Sequence, residues 1–142
     1  MAFTGPFEDR VAIRELLEAY SDAVTRCDAG DWADTWADEA QWSLPDYPEI
    51  GTTKGKKAIV AMWVEAMKSY PGIMFMAFPG AIEIDGDTAK VRSYTTETYD
   101  QGDETVRDRG FYEDTCVKVD GRWLFSSRSF RNIHRQRAPK GC

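Results

Sequence analysis

The chain has 142 residues and a formal charge of −6, with 24 acidic against 18 basic side chains, which is long enough for one domain with its own core and no metal or disulfide support. The acidic balance disfavours a sequence-independent nucleic-acid binder, which needs a basic surface to displace counterions from phosphates. No apolar run is long enough to span a bilayer and no charged-then-apolar leader opens the sequence, so a cytoplasmic protein with no membrane partner is expected.

In chain order, the first helix is expected to begin near Glu8 and Asp9, whose carboxylates suit a helix N-terminus. It carries Ile13, Leu16, Leu17, Tyr20, Val24 and Cys27 at helical spacing, so Tyr20 sits on the apolar stripe while Asp22 faces water. A turn at Asp28-Ala29-Gly30 leads into a short second helix with Trp32 and Trp36 on one face. A strand follows at about residues 40–44, and Pro45 to Pro48 with Gly51 marks a loop. The third helix covers about residues 57–69, turns Ile59, Val60, Trp63 and Met67 inward, and is stopped by Pro71-Gly72.

Five strands are expected after it, at about residues 73–77, 81–84, 88–99, 109–119 and 122–131. Asp85-Gly86 and Asp120-Gly121 mark two hairpin turns, because this dipeptide tolerates the positive φ angles of a type I′ connection. Gln101 to Glu104 is the polar connection between the hairpins, and the basic tail 134–142 reads as loose. The expected product is an α+β fold, a cone-shaped α+β barrel in which a curved antiparallel sheet is closed by three N-terminal helices, forming a single domain over residues 1–142.

Several chemistries lack their residues. The single histidine, His134, lies in the C-terminal segment and reads as a surface side chain, and Cys27, Cys116 and Cys142 have no framework or metal spacing and read as reduced thiols. No glycine-rich fingerprint links a strand to a helix, and the Gly-x-Ser-x-Gly nucleophile turn is missing. Neither a metal nor an organic cofactor is expected.

What remains is acid–base chemistry by carboxylate, phenol and guanidinium groups. With Lys90 and Arg92 facing water, strand periodicity puts Val91, Ser93, Thr95, Glu97 and Tyr99 on the other face. If that face lines the cone, Glu97 is a desolvated carboxyl with a raised pKa; the bland alternative is a rim residue paired with an arginine. Arg128 shares a face with Leu124, Ser126 and Phe130 and is carried inward if that face is the inner one, or is solvated if Trp123 and Phe125 mark the inside. Arg109 either enters the cone or pairs across the sheet with Glu113 or Asp114. Seven Phe, six Tyr and five Trp supply either a pocket lining or an ordinary core with subunit contacts, and Tyr20 is open to the same two readings.

The segments Ala12 to Tyr20, Gly30 to Trp42, Ile82 to Asp87 and Asp120 to Trp123 resemble the SnoaL-like branch of the nuclear transport factor 2-like superfamily. Relatives such as scytalone dehydratase and hexachlorocyclohexane dehydrochlorinase use a histidine on the strand after the third helix, oriented by an aspartate late in helix one. By that resemblance, these positions hold Phe75 and Thr25, so the dyad is absent. Tyr20 and Glu97 match a tyrosine and an acidic residue of the bile-acid dehydratase branch, Arg128 matches an active-site arginine of the dehydrochlorinase, and Asn132 or Arg131 falls where the bile-acid enzyme has its arginine. The resemblance further implies a homodimer or homotrimer.

The reading that joins these observations is a cofactor-independent lyase, dehydratase-like or retro-aldol-like, acting on an apolar, aromatic or polycyclic small molecule. Glu97 moves the proton, Tyr20 holds an oxygen, Arg128 stabilises developing negative charge and Asn132 assists. Trp42, Trp63, Met67, Phe75, Tyr99, Arg109 and Phe111 are the expected substrate-binding wall. An isomerase or cyclase using the same pocket, and a non-catalytic binding domain, are the rival readings.

Overall fold

The computed structural model describes residues 2–141, so the expectation for Cys142 lies outside the described residues. Helix α1 spans Phe7–Arg26, α2 Ala29–Ala33 and α3 Lys56–Met67. The strands are β1 Phe3–Thr4, β2 Trp36–Leu44, β3 Gly51–Lys54, β4 Met74–Asp85, β5 Thr88–Gln101, β6 Glu104–Val119 and β7 Arg122–Pro139.

The three helices arise as their sequences dictate. Glu8 and Asp9 occupy the first turn of α1 and Arg26 the last, complementing its dipole. Asp9 also accepts hydrogen bonds from Trp123 Nε1 and Lys118 Nζ, each at 3.0 Å, which fastens the start of the helix to the sheet. The stripe Ile13, Leu16, Leu17, Tyr20 and Val24 is buried as expected. Cys27, expected to continue it, instead ends the helix at φ +53 and is exposed, because the left-handed cap turns its side chain away from the stripe. Trp36 is likewise not on α2 but opens β2, although both it and Trp32 are fully buried.

The seven strands form one curved sheet in the order β1-β4-β5-β6-β7-β2-β3. It is not closed into a barrel, and it is mixed, since β1 runs parallel to β4 and β2 parallel to β7. The expected α+β cone is what forms, with a curved sheet that stays open where a closed barrel was expected and with the helices against its inner face.

Bulges determine which side chains enter. The two strands expected at 73–77 and 81–84 are one strand, β4, interrupted where Gly80 has no partner between Pro79 and Ala81. An added Cβ on Gly80 would stand 2.6 Å from the Tyr94 ring, so no larger residue fits there. In β7 the extra residues Ser126 and Ile133 each shift the register by one. The first lets Trp123 and Phe125 face inward and then returns Arg128 and Phe130 to the same side, reconciling two patterns that a regular strand would make exclusive. The second turns Arg135 inward opposite Asp108. The segment 134–139, expected to be loose, is the last part of β7 and pairs with β6 as far as Pro139.

The turns also differ from each other. Asp120 and Gly121 both have positive φ, +50 and +80, as a type I′ turn requires. In the first hairpin Asp85 pairs with Thr88, so the loop is Gly86-Asp87, one residue later than the dipeptide suggests, with the positive φ on Gly86 alone. Among the described residues no helix is long and apolar enough to cross a membrane.

Candidate active site

The inner face of the sheet, α1 and α3 enclose a cavity of about 140 Å³. Helix α1 contributes Tyr20 and Val24, β2 contributes Trp42 and Leu44, and α3 contributes Trp63, Ala66 and Met67. The sheet adds Phe75, Glu97, Tyr112 and Phe130 from β4, β5, β6 and β7, and Tyr47, Ile50 and Tyr70 come from the connecting loops. Ile50 is 41 % exposed and Ala66 is exposed too, which places the mouth between the β2–β3 loop and the end of α3.

The floor of the cavity is held by aromatic packing. Trp32 stacks on Trp63 with ring centroids 4.5 Å apart and planes 11° from parallel, and meets Trp36 and Trp42 edge-on at 5.5 Å. Among the described residues the buried indole N–H groups of Trp32, Trp36 and Trp42 find no hydrogen-bond partner. Gly110 is required on β6 because the Phe130 ring lies 2.5 Å from where its Cβ would be. The absent side chain gives Phe130 its place in the wall.

Two phenols meet inside. The hydroxyls of Tyr20 and Tyr112 are 3.2 Å apart and share one hydrogen bond, leaving the pair with further donor and acceptor capacity. Burial pushes the pKa of both upward, so both stay neutral, while the charge of Arg128 works in the other direction. The Arg128 guanidinium carbon lies 4.3 Å from the Tyr20 ring centroid, 3.6 Å from that of Tyr112 and 4.0 Å from that of Phe125. Arg128 is 1 % exposed and clasps Asp114 with two hydrogen bonds of 2.8 and 3.0 Å.

Arg128 therefore points inward but does not line the cavity. Its Nε and Nη2 are occupied by Asp114, its Nη1 is buried with no hydrogen-bond partner among the described residues, and the two tyrosine rings cover it, so it polarises the phenols from outside the cavity lining. Burial raises the Asp114 carboxyl to about 6 against the pull of the guanidinium. The pair is ionised at neutral pH.

Glu97 is different. Among the described residues it has neither a hydrogen-bond nor an ion-pair partner, and its carboxyl faces the apolar wall. Desolvation raises its pKa to about 7, with the charge of Asp108 adding to the rise and Arg135 opposing it. A carboxyl poised there can give or take a proton near neutrality.

The other expected site residues divide. Trp42, Trp63, Met67 and Phe75 line the cavity. Tyr99 is buried beside it and donates its hydroxyl hydrogen to Asp108 at 3.0 Å. Asn132 is outside the lining: its amide donates to the Tyr47 hydroxyl at 2.9 Å, and its backbone N–H donates to Asp46 at 2.8 Å. It therefore fixes the mouth loop and does not reach into the chamber. Arg109 and Phe111 alternate with the inward residues Asp108, Gly110 and Tyr112, so they occupy the outer face and cannot touch a bound molecule. Arg109 stands opposite His134, also on the exterior.

Tyr112, Asp108 and Arg135 join the site although local sequence pattern does not single them out. Tyr112 has the same parity as Asp114 and was recoverable from strand alternation, whereas Arg135 lay in the segment read as tail. Among the described residues no group of three or more His, Cys, Asp or Glu side chains could hold a metal ion.

Residues 6–129 match the model of the SnoaL-like domain. The chain belongs to that family. No curated protein matches it in sequence. Among solved structures it is similar to a candidate scytalone dehydratase from Novosphingobium aromaticivorans, with 22 % identity, a TM-score of 0.80, and 91 % of this chain and 87 % of that one covered. It is also similar to the LinA-type3 hexachlorocyclohexane dehydrochlorinase from Novosphingobium barchaimii, at 20 % identity and a TM-score of 0.78 over 92 % and 90 % of the two chains. A candidate aromatic ring hydroxylase from Novosphingobium aromaticivorans gives 20 % identity and a TM-score of 0.78 over 96 % of each chain. Identities this low establish the shared nuclear transport factor 2-like fold and no more.

In the resemblance drawn from sequence, Thr25 and Phe75 hold the positions of a catalytic aspartate and histidine. The structure brings these two together in another role. Thr25 Oγ1 accepts from the Phe75 backbone N–H at 3.0 Å and donates to the Phe75 carbonyl at 3.3 Å, capping the free edge of β4.

Proposed function

We propose that this SnoaL-like protein is a cofactor-independent lyase, dehydratase-like or retro-aldol-like, that acts by proton transfer on a compact, largely apolar ring compound. The observation that carries the reading is Glu97, a carboxyl without a charge partner facing an apolar chamber that also holds a pair of neutral phenols. Glu97 pairs in register with Phe75, the position at which the resemblance puts the relatives' histidine. The proton-moving group has thus been relocated by one strand, and a carboxylate takes the place of an imidazole.

The division of labour follows from what each group can do. Ionised Glu97 takes the proton from the carbon beside a leaving hydroxyl and gives it to that hydroxyl as the double bond forms and water departs, or, in retro-aldol cleavage, takes it from the hydroxyl and returns it to the enolate carbon as the aldehyde departs. Tyr20 and Tyr112 hydrogen-bond the leaving or carbonyl oxygen, and they favour the charge that develops on it because Arg128 lies beneath their rings.

Size sets the substrate class. An apolar cavity of about 150 Å³ accommodates benzene, and this one measures about 140 Å³. One six-membered ring with a small oxygen substituent fits; a fused polycyclic skeleton would have to protrude through the mouth.

The test is incubation with a panel of single-ring alcohols and β-hydroxy ketones, followed by product mass. Loss of the mass of water or of an aldehyde supports the lyase, and Glu97→Gln should slow that reaction by ~10²–10⁴-fold. A product of unchanged mass would make the protein an isomerase. Binding with no chemical change across the panel would leave a binding domain.

A further inference from the structure

Glu97 and Asp108 stand directly opposite each other on β5 and β6, both turned to the inner face. Residues paired in this way have Cβ atoms ~5 Å apart, so their carboxyl groups interact strongly where water is sparse. The two acids are treated very differently. Asp108 is 2 % exposed and accepts from Tyr99 Oη at 3.0 Å, Arg135 Nε at 2.7 Å and Arg135 Nη2 at 3.1 Å. This bidentate clasp holds its carboxyl group against the Arg135 guanidinium.

The remaining groups around Glu97 do not neutralise the charge of Asp108. Phe75 faces it from β4, Tyr99 lies two residues along β5, and Tyr112 lies further along β6. Tyr70 approaches from the turn after α3 and Tyr47 from the mouth loop, and burial pushes the Tyr70 phenol up to about 12. Among the described residues Arg135 is the one cation that bears on Glu97, and it is spent on Asp108 and on the Tyr47 hydroxyl, to which Nη2 donates at 3.2 Å.

We infer that Asp108 is a positioning residue for Glu97: its anchored negative charge opposes ionisation of the carboxyl across the strand pair, and Arg135 sets how strong that opposition is. Asp108 never touches the substrate. It determines the fraction of Glu97 that holds a proton, and hence whether the chamber begins a cycle with a base or an acid. The inference concerns the same carboxyl as the function proposed above, and it depends on that function only for its bearing on turnover.

The experiment reads Glu97 directly, by the pH titration of its side-chain carboxyl ¹³C resonance in labelled full-length protein, assigned by its loss in Glu97→Gln. Asp108→Asn removes the opposing charge and frees Arg135, so the midpoint should fall by about one pH unit or more. Arg135→Gln, on a side chain that is 35 % exposed, leaves Asp108 unshielded, and the midpoint should rise by a similar amount. Arg137→Gln, further along β7 and bonded to Gln101, removes the same charge at a greater distance and should leave it within ~0.3 units.

Opposite shifts in the first two variants with a stationary third support the inference. A midpoint that stays put in both, or moves equally in all three, overturns it. If circular dichroism shows that Asp108→Asn does not fold, the direction of the Arg135→Gln shift decides alone. A tuned Glu97 in a protein that transforms no substrate would sustain this inference and remove the proposed function; an untuned Glu97 in an active lyase would do the reverse.

Discussion

Two rows of side chains cross the inner face of the sheet, and they differ by one carboxylate. Near the closed end the row reads Val91, Asp114, Arg128 and Trp42 across β5, β6, β7 and β2. Nearer the mouth it reads Phe75, Glu97, Asp108 and Arg135 across β4 to β7. The first row matches one acid to one guanidinium and is electrostatically complete. The second matches two acids to one guanidinium, and the surplus acid is the one that faces the cavity. A buried ion pair contributes little chemistry once closed, whereas a desolvated carboxyl with no partner is available to move a proton.

The largest effect should come from breaking the complete row. Arg128→Met leaves Asp114 buried without its cation, and Asp114→Asn leaves the guanidinium without its anion; either should cost ~3–5 kcal/mol in urea unfolding. Replacing both together by apolar residues should cost less than the sum of the two, because no lone charge is left behind. If the single variants unfold like the parent, the pairing of Asp114 with Arg128 is not what sets the two rows apart.

The incomplete row should respond to pH instead. Glu97 has a folded pKa near 7 against 4.5 for an ordinary glutamate. Between those values the native chain keeps a proton that the unfolded chain releases, so raising the pH through this window pulls the equilibrium toward unfolding. Relative to Glu97→Gln, the parent should be equally stable below about pH 4.5 and weaker by up to ~3 kcal/mol above pH 7. Urea melts of both proteins at matched pH isolate this from every other titrating group. A constant difference across the range would mean that Glu97 is not desolvated in the way its position demands.

Much of this contrast was legible in the sequence, and the reason for the remainder is local. The alternation Val91, Ser93, Thr95, Glu97, Tyr99 placed Glu97 on the inner face because β5 pairs with β6 along its whole length without interruption. The stripe on α1 placed Tyr20 for the same kind of reason. The arginines were harder, because β7 shifts register twice, at Ser126 and Ile133, and a period of two cannot survive an inserted residue. Arg128 therefore stayed ambiguous, and Arg135 was lost in a segment whose charge suggested a solvated tail. Asp108 fell in a stretch read as preceding its strand, so the second acid of the row could not be paired with Glu97. The strand edge at Phe75 depends on a contact fifty positions away in sequence, which no local pattern encodes.

A smaller effect should separate the two phenols from the cation beneath them. Tyr112→Phe removes the 3.2 Å bond to Tyr20 while keeping the ring over Arg128, so stability should fall by only ~0.5–1.5 kcal/mol. If the hydroxyl pair binds an oxygen of the substrate, turnover should fall by about tenfold or more with the optimum pH unchanged, since Glu97 is untouched. A shift in the pH optimum without a loss of rate would place Tyr112 among the groups that tune Glu97 and not among those that hold the substrate.

The smallest effect concerns the edge of the sheet beside Glu97. Thr25→Val keeps the shape of the side chain but deprives the Phe75 N–H and carbonyl of their partner, which should cost ~1 kcal/mol and speed hydrogen exchange at the Phe75 amide. Thr25 lies outside the cavity lining, so the Glu97 titration should not move. Finding the amide equally protected in the variant would show that the edge is held by α1 packing alone. Finding instead that the Glu97 midpoint shifts would mean that the backbone at Phe75 helps to set the position of the carboxyl across from it. The incomplete row would then extend one strand further, to the pair of positions that the resemblance assigns to a histidine and an aspartate.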